Sequence, residues 1–134
     1  MSHSLSLLAA AALGAVTTLG VVGQDRPKRD VSRVFTMKEL SAKRAARGGP
    51  YFSFLEVPAM SCGVYELAKG ARDGQQPHER DEIYAVMKGK ATFVGGTERT
   101  KVEPGSIIYV PRGAEHRFEE ITEDLSLLVV FAGR

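Results

Sequence analysis

Beyond residue 50 the apolar positions come in short runs rich in Val, Ile, Phe, Leu and Tyr, each closed by Gly, Pro or a cluster of polar residues. Runs this short predict strands, because a helix needs ten or more residues before its period of 3.6 shows. The expected strands are Tyr51–Val57, Cys62–Leu67, Glu82–Met87, Ala91–Val94, Arg99–Val102, Ser106–Val110, His116–Glu119 and Leu125–Ala132. Turns are expected at Lys88-Gly89, Gly95-Gly96, Pro104-Gly105 and Pro111-Arg112-Gly113. Ahead of the strands, Val34, Met37, Leu40 and Arg44 fall at helical spacing and predict one short helix from about Thr36 to Arg47, ended by Gly48-Gly49-Pro50. One helix followed by eight short strands argues an all-β fold, an antiparallel sandwich or small barrel.

A different pattern opens the chain. Leu5 to Gly23 is a 19-residue run without a charge, and the small residues Val21 and Gly23 precede Gln24 as they would precede a signal-peptidase cut. Residues 1–23 are therefore expected to be a secretory signal peptide, which would make the protein secreted or periplasmic. The same run is long enough for an uncleaved membrane anchor. Arg26, Lys28, Arg29 and Arg33 follow it while Met1–Ser4 holds no Lys or Arg, a distribution that opposes simple export. A true start at Met37 would instead leave the protein cytoplasmic. The chain thus divides into a leader (1–23), a basic linker and helix (24–49) and a folded domain (50–134).

Composition narrows the function classes. At 134 residues, with 43% apolar and 25% charged, the chain fits one domain and excludes a disordered tail, a collagen-like repeat or a multi-span membrane protein. The net charge of +2 conceals a basic arm, eight Lys or Arg against three acids in residues 24–49, on a body with ten against thirteen. That is not the footprint of a nucleic-acid-binding domain, which spreads basic residues over one face. The arm reads as a solvated helix face, or as a contact for anionic lipid or an acidic partner. Cys62, the single cysteine, excludes an intrachain disulfide and a cysteine zinc cage, and reads as a small buried hydrophobe. There is no Gly-rich phosphate loop and no serine nucleophile motif.

Beyond the leader the chain has two histidines. His78 stands just before an expected strand that opens with Glu82, and His116 opens another. Two neutral imidazoles and one carboxylate, brought together by intervening hairpins, form a three-point set that leaves open positions on iron(II). Zinc, manganese or nickel would accept the same ligands. By strand alternation Tyr84 shares the face of Glu82, and Phe118 that of His116. Tyr84 is thus a candidate catalytic side chain and Phe118 a candidate pocket lining. Arg80 and Arg112 flank the two histidine turns and are candidates to hold a substrate carboxylate.

The stretch from His78 through Glu82 to Gly89, and the stretch Gly105-Ser-Ile-Ile-Tyr-Val-Pro111-Arg-Gly113-Ala-Glu-His116, resemble the two signature motifs of the cupin superfamily. The second matches from its first glycine to its histidine, and 15 residues separate Gly89 from Gly105, as in small single-domain cupins. The resemblance spans about Pro50 to Arg134. It implies a double-stranded β-helix, or jelly roll, with a divalent metal held by His78, Glu82 and His116. Where the family usually has the first histidine of a His-x-His pair this chain has Gln76, which would hold the metal weakly or through water. Where the second motif usually ends in Asn it has Glu120. The resemblance further implies a small-molecule ligand and a homodimer, which would cover an edge strand such as Tyr51–Val57. Its leading functional expectation is dioxygenase-type oxidation of a small organic molecule, with Glu82 as ligand or base. A non-catalytic binding module and a metal-free isomerase are the alternatives.

Overall fold

The computed structural model describes residues 32–133. The leader and the start of the basic linker lie outside them. Among the described residues, no helix is long and apolar enough to cross a membrane.

Helix α1 runs Met37–Arg47. Thr36 caps it, its side chain accepting the Glu39 N–H at 3.3 Å, a donor the helix cannot use itself, and donating its hydroxyl to the Glu39 carboxylate at 3.0 Å. Gly48, at φ 83°, ends it with an N–H bond to the Arg44 carbonyl. The cap places Val34 outside the helix and 89% exposed, so the apolar face begins at Met37 rather than Val34. That face packs on β1 (Tyr51–Val57) and β2 (Met60–Leu67), with Leu40 buried. Beside Leu40, Ser41 and Arg44 reach the Glu66 carboxylate at 2.6 and 2.7 Å. Part of the basic arm is therefore tied to the sheet.

The remaining strands are β3 (Glu82–Gly95), β4 (Glu98–Val102), β5 (Ile107–Val110) and β6 (His116–Ala132). They form one antiparallel sheet in the order β1-β2-β6-β3-β4, with β5 also paired to β3. Eight expected strands become six, because two pairs fuse. Lys88-Gly89 is not a turn: β3 continues through it while its register with β6 slips between Val86 and Thr92. Gly89, at φ 87°, lies so close to the Asp124 carbonyl that a Cβ would collide with it. Across from this bend β6 also stays continuous, through Glu120 at φ 46°. Its inward positions step from Phe118 to Ile121 to Leu125 before regular alternation resumes at Leu127, Val129 and Phe131.

The two long strands thus cross the whole domain side by side. The first half of β3 lies between β5 and β6, and its second half between β4 and β6. The core on their inner face is closed by Leu67, Val86, Val102, Val110, Leu125 and Leu127. Cys62 is buried on β2, and that burial pushes its thiol above the ordinary value, so it is a packing residue rather than an activated nucleophile.

Candidate metal centre

Two loops bring the chemistry to one end of this core. The loop before β3 carries His78, and its backbone is stitched to the turn before β6: the His78 carbonyl accepts the Gly113 N–H at 2.8 Å, and the Asp81 carboxylate accepts the Arg112 N–H at 2.8 Å. Glu82 then opens β3, opposite Phe131 of β6, and His116 opens β6, opposite Gly95 of β3. The ligand atoms of His78, Glu82 and His116 lie within 4.8 Å of one another.

Both imidazoles converge on one carboxylate oxygen. Glu82 Oε1 is 2.7 Å from His78 Nδ1 and 3.1 Å from His116 Nε2. Glu82 Oε2 is buried without any partner. The other ring nitrogen of His116, Nδ1, donates to the Ala114 carbonyl at 2.9 Å, which fixes the tautomer and turns Nε2 to the centre. Burial alone would raise the Glu82 carboxyl, but the hydrogen bonds from His116 and His78 outweigh it and hold the group below the usual range. Burial pulls His116 the other way, down, and is overcome by Glu82 and the Ala114 carbonyl, so its imidazole ends above its ordinary value. Glu82 is thus held ionised next to an imidazole that favours charge. In this arrangement a proton joins donors that a cation would join as well. Two imidazole nitrogens and one carboxylate, one of whose oxygens is buried and orphaned, fit a divalent ion.

Tyr84 stands beside the three. Its hydroxyl is 3.0 Å from His116 Nε2 and donates to Gln75 Oε1 at 2.9 Å. Burial, reinforced by the Glu82 charge, pushes the phenol well above its normal range, so it is a neutral hydroxyl. Gln75 is itself oriented by Asp73, which accepts its side-chain N–H at 2.8 Å and its backbone N–H at 3.2 Å. Asp73 also accepts the Tyr65 hydroxyl at 2.6 Å and the Phe118 N–H at 2.8 Å.

A cleft of about 490 Å³ opens on this group, walled by Tyr51, Tyr65, Val129 and Phe131. His78, Tyr84, Gln75 and Arg80 face it. Glu82 and His116 sit behind them, their side chains 1% exposed, so His78 is the ligand nearest solvent at 32%. A larger depression of about 770 Å³ lies alongside, lined by Glu79, Arg80, Asp81 and Arg112, but it holds no histidine.

The structure sorts the sequence candidates by position. It brings His78, Glu82, His116 and Tyr84 together and places Arg80 on the same cleft. Gln76 is exposed, and the glutamine turned to Tyr84 is its neighbour Gln75. The loop has no strand period to say which of two adjacent side chains points inward. Phe118 is 1% exposed in the core, edge-on to Tyr84 at 5.5 Å between centroids, and supports the site from beneath instead of lining it. Arg112 borders the larger depression, since its backbone, not its side chain, joins the histidine loop. Glu120 pairs with Lys101 and Thr92 on the outside of the sheet. Sequence reasoning did not find Asp73, Gln75, Tyr51 or Tyr65. The one hint was an acid set between Gly70 and Gly74 in a loop.

Comparison with known proteins gives this geometry a family. The model described as Cupin domain (Cupin_2) matches residues 63–131, which holds both histidines and Glu82. The chain is a cupin. It is 47% identical over 100 residues to a Streptomyces coelicolor protein named Uncharacterized protein SCO3923, covering 75% of this chain and 95% of that one. In fold this cupin is similar to a Klebsiella pneumoniae protein with a double-stranded β-helix domain, at a TM-score of 0.65, 22% identity, and coverage of 77% of this chain and 91% of that one. It is also similar to the DMSP lyase DddQ from Ruegeria pomeroyi, at a TM-score of 0.58, 20% identity and coverage of 62% of this chain. The match spans 46% of that lyase's length. Likeness at these identities establishes the jelly-roll architecture, and function rests on the site.

Proposed function

We propose that this cupin is a metal-dependent enzyme acting on a small organic molecule, with His78, Glu82 and His116 holding a divalent ion and oxygenation as its reaction. The observation that carries the reading is Glu82 Oε2, a fully buried carboxylate oxygen with no hydrogen-bond donor, beside two imidazoles aimed at its twin. Leaving such an atom unsatisfied costs about 1–3 kcal/mol or more for a charged group, a cost that a cation would remove. When bound, iron(II) would supply redox chemistry with dioxygen, and zinc, manganese or nickel would supply Lewis acidity.

The chain's own residues prepare the site. The Ala114 carbonyl keeps the proton of neutral His116 on Nδ1, leaving the Nε2 lone pair inward. Asp73 holds the Gln75 amide nitrogen, so Gln75 Oε1 accepts a hydrogen bond from the Tyr84 hydroxyl, and the Tyr84 oxygen is left to accept from His116 Nε2 whenever that imidazole is charged. The aromatic wall of Tyr51, Tyr65 and Phe131 orients a bound molecule and excludes water from one of its faces.

Tyr84 supports a second reading. Its hydroxyl lines the cleft and lies 3.0 Å from His116, within reach to hold or move a proton on a substrate, as an isomerase or lyase requires. One experiment separates the readings. Full-length protein is reconstituted anaerobically with iron(II), manganese(II), nickel(II) or zinc(II) and offered a panel of small organic acids and phenols. Dioxygen uptake and deuterium incorporation from D₂O are followed together. Oxygenation predicts uptake with iron alone, abolished by His78→Ala. Deuterium exchange without uptake, lost in Tyr84→Phe, would replace it with proton transfer, and neither signal on metal-loaded protein would leave a non-catalytic binding module.

A further inference from the structure

Arg80 is half-buried on the loop between His78 and β3, and its guanidinium lies over the Phe131 ring, 4.8 Å from the centroid. The edge of the same ring meets His78, with 5.1 Å between ring centroids. The guanidinium is therefore within about 10 Å of the His78 imidazole. A guanidinium carries five donors, yet the hydrogen bond of this one is to the Ala132 carbonyl at 3.4 Å. Among the described residues, no carboxylate comes within ion-pairing distance of it. Arg44, Arg99 and Arg117, by contrast, are each paired with a glutamate. Stacking on Phe131 has already removed much of the freedom that Arg80 would lose on binding an anion, so its free fork is preorganised at the cleft.

Charge points the same way. A divalent ion held by two neutral imidazoles and one carboxylate keeps a net positive charge, and Arg80 adds another on the same cleft, beside the Phe131 ring that His78 also meets. Glu79, exposed at the rim, is the acid that lines the cleft. The adjoining depression adds Asp81 and Arg112, whose opposite charges offset each other, and it lacks the aromatic wall and the histidine.

We infer that the cleft binds a small organic carboxylate, its acid group held by the Arg80 fork and its body lying on the wall of Tyr51, Tyr65 and Phe131. The inference deepens the proposed function and rests on it for the other end of the ligand, which lies at the metal. A separation of no more than about 10 Å limits the ligand to a short-chain or single-ring acid. An amine of the same shape is repelled from both ends.

Isophthalate, with a carboxylate for each end, and 3-carbamoylbenzoate, with one of them neutralised at unchanged shape, test this directly. Calorimetric titration of full-length, metal-loaded protein should find isophthalate bound at least about tenfold more tightly. Arg80→Gln should weaken isophthalate about tenfold and equalise the two probes, and Arg80→Lys should retain part of the preference. Equal affinities on the unsubstituted protein, no binding of isophthalate, or an Arg80→Gln protein with undiminished affinity would each overturn the inference. The two-probe comparison needs no variant, so a folding defect in Arg80→Gln does not blunt it. Metal content is measured on the same samples. If they hold no metal and isophthalate binding still falls tenfold in Arg80→Gln, the carboxylate site stands and the metal reading fails.

Discussion

Asp73 accepts four hydrogen bonds, from the Tyr65 hydroxyl, the Gln75 and Phe118 backbone N–H groups and the Gln75 side-chain amide. All four partners are donors, so an asparagine there would set its own N–H₂ against at least one of them. Asp73→Asn is expected to lower stability by about 1–3 kcal/mol, read as a shifted urea midpoint with unchanged slope. A midpoint within error of the unsubstituted protein would mean that the carboxylate does not organise the loop. His78, Glu82 and His116 were legible in the sequence because motif spacing applies to all three, and Glu82 and His116 also open strands. Asp73 was not, because its partners Tyr65 and Phe118 lie 8 and 45 residues away and meet it only once the loop folds over the sheet. The exchange of Gln75 for Gln76 has the same origin, a loop without a period.

Among the elements, α1 depends on one charged anchor. Glu66 on β2 receives Ser41, Arg44 and Ser126. Burial would raise its carboxyl, but those hydrogen bonds hold it below its ordinary value of 4.5. A carboxyl lowered by folding contributes stability above its unfolded value, and that contribution fades as pH falls through the lowered one. The Arg44→Ala penalty should therefore be about 1 kcal/mol near neutral pH and shrink steadily below pH 4.5, measured by denaturation at each pH. A penalty constant with pH would show that Arg44 acts through packing alone. The helix itself was readable from the spacing of Met37, Leu40 and Arg44 and from Gly48-Gly49-Pro50 at its end, all of them local signals. The strand count was not. Lys88-Gly89 has the composition of a turn, and a sheet bend uses the same glycine conformation; only the approach of Asp124 from β6 separates them. Glu120, a non-glycine residue at positive φ, carried no signal that β6 continues through it.

Across the whole molecule, two long strands and two stitched loops place one carboxylate between two imidazoles at the head of an aromatic cleft. The family and the jelly roll were visible in motif spacing, whereas the cleft wall comes from β1, β2 and β6, far apart in the chain. The central claim is that this end of the domain holds a divalent ion. It is tested by elemental mass spectrometry on full-length protein purified without chelator, alongside Glu82→Gln and a His78→Ala/His116→Ala double variant. The account predicts about one iron, manganese, nickel or zinc per chain, strongly reduced in Glu82→Gln and lost in the double variant. An unsubstituted protein that carries no metal and takes none up on reconstitution would contradict it.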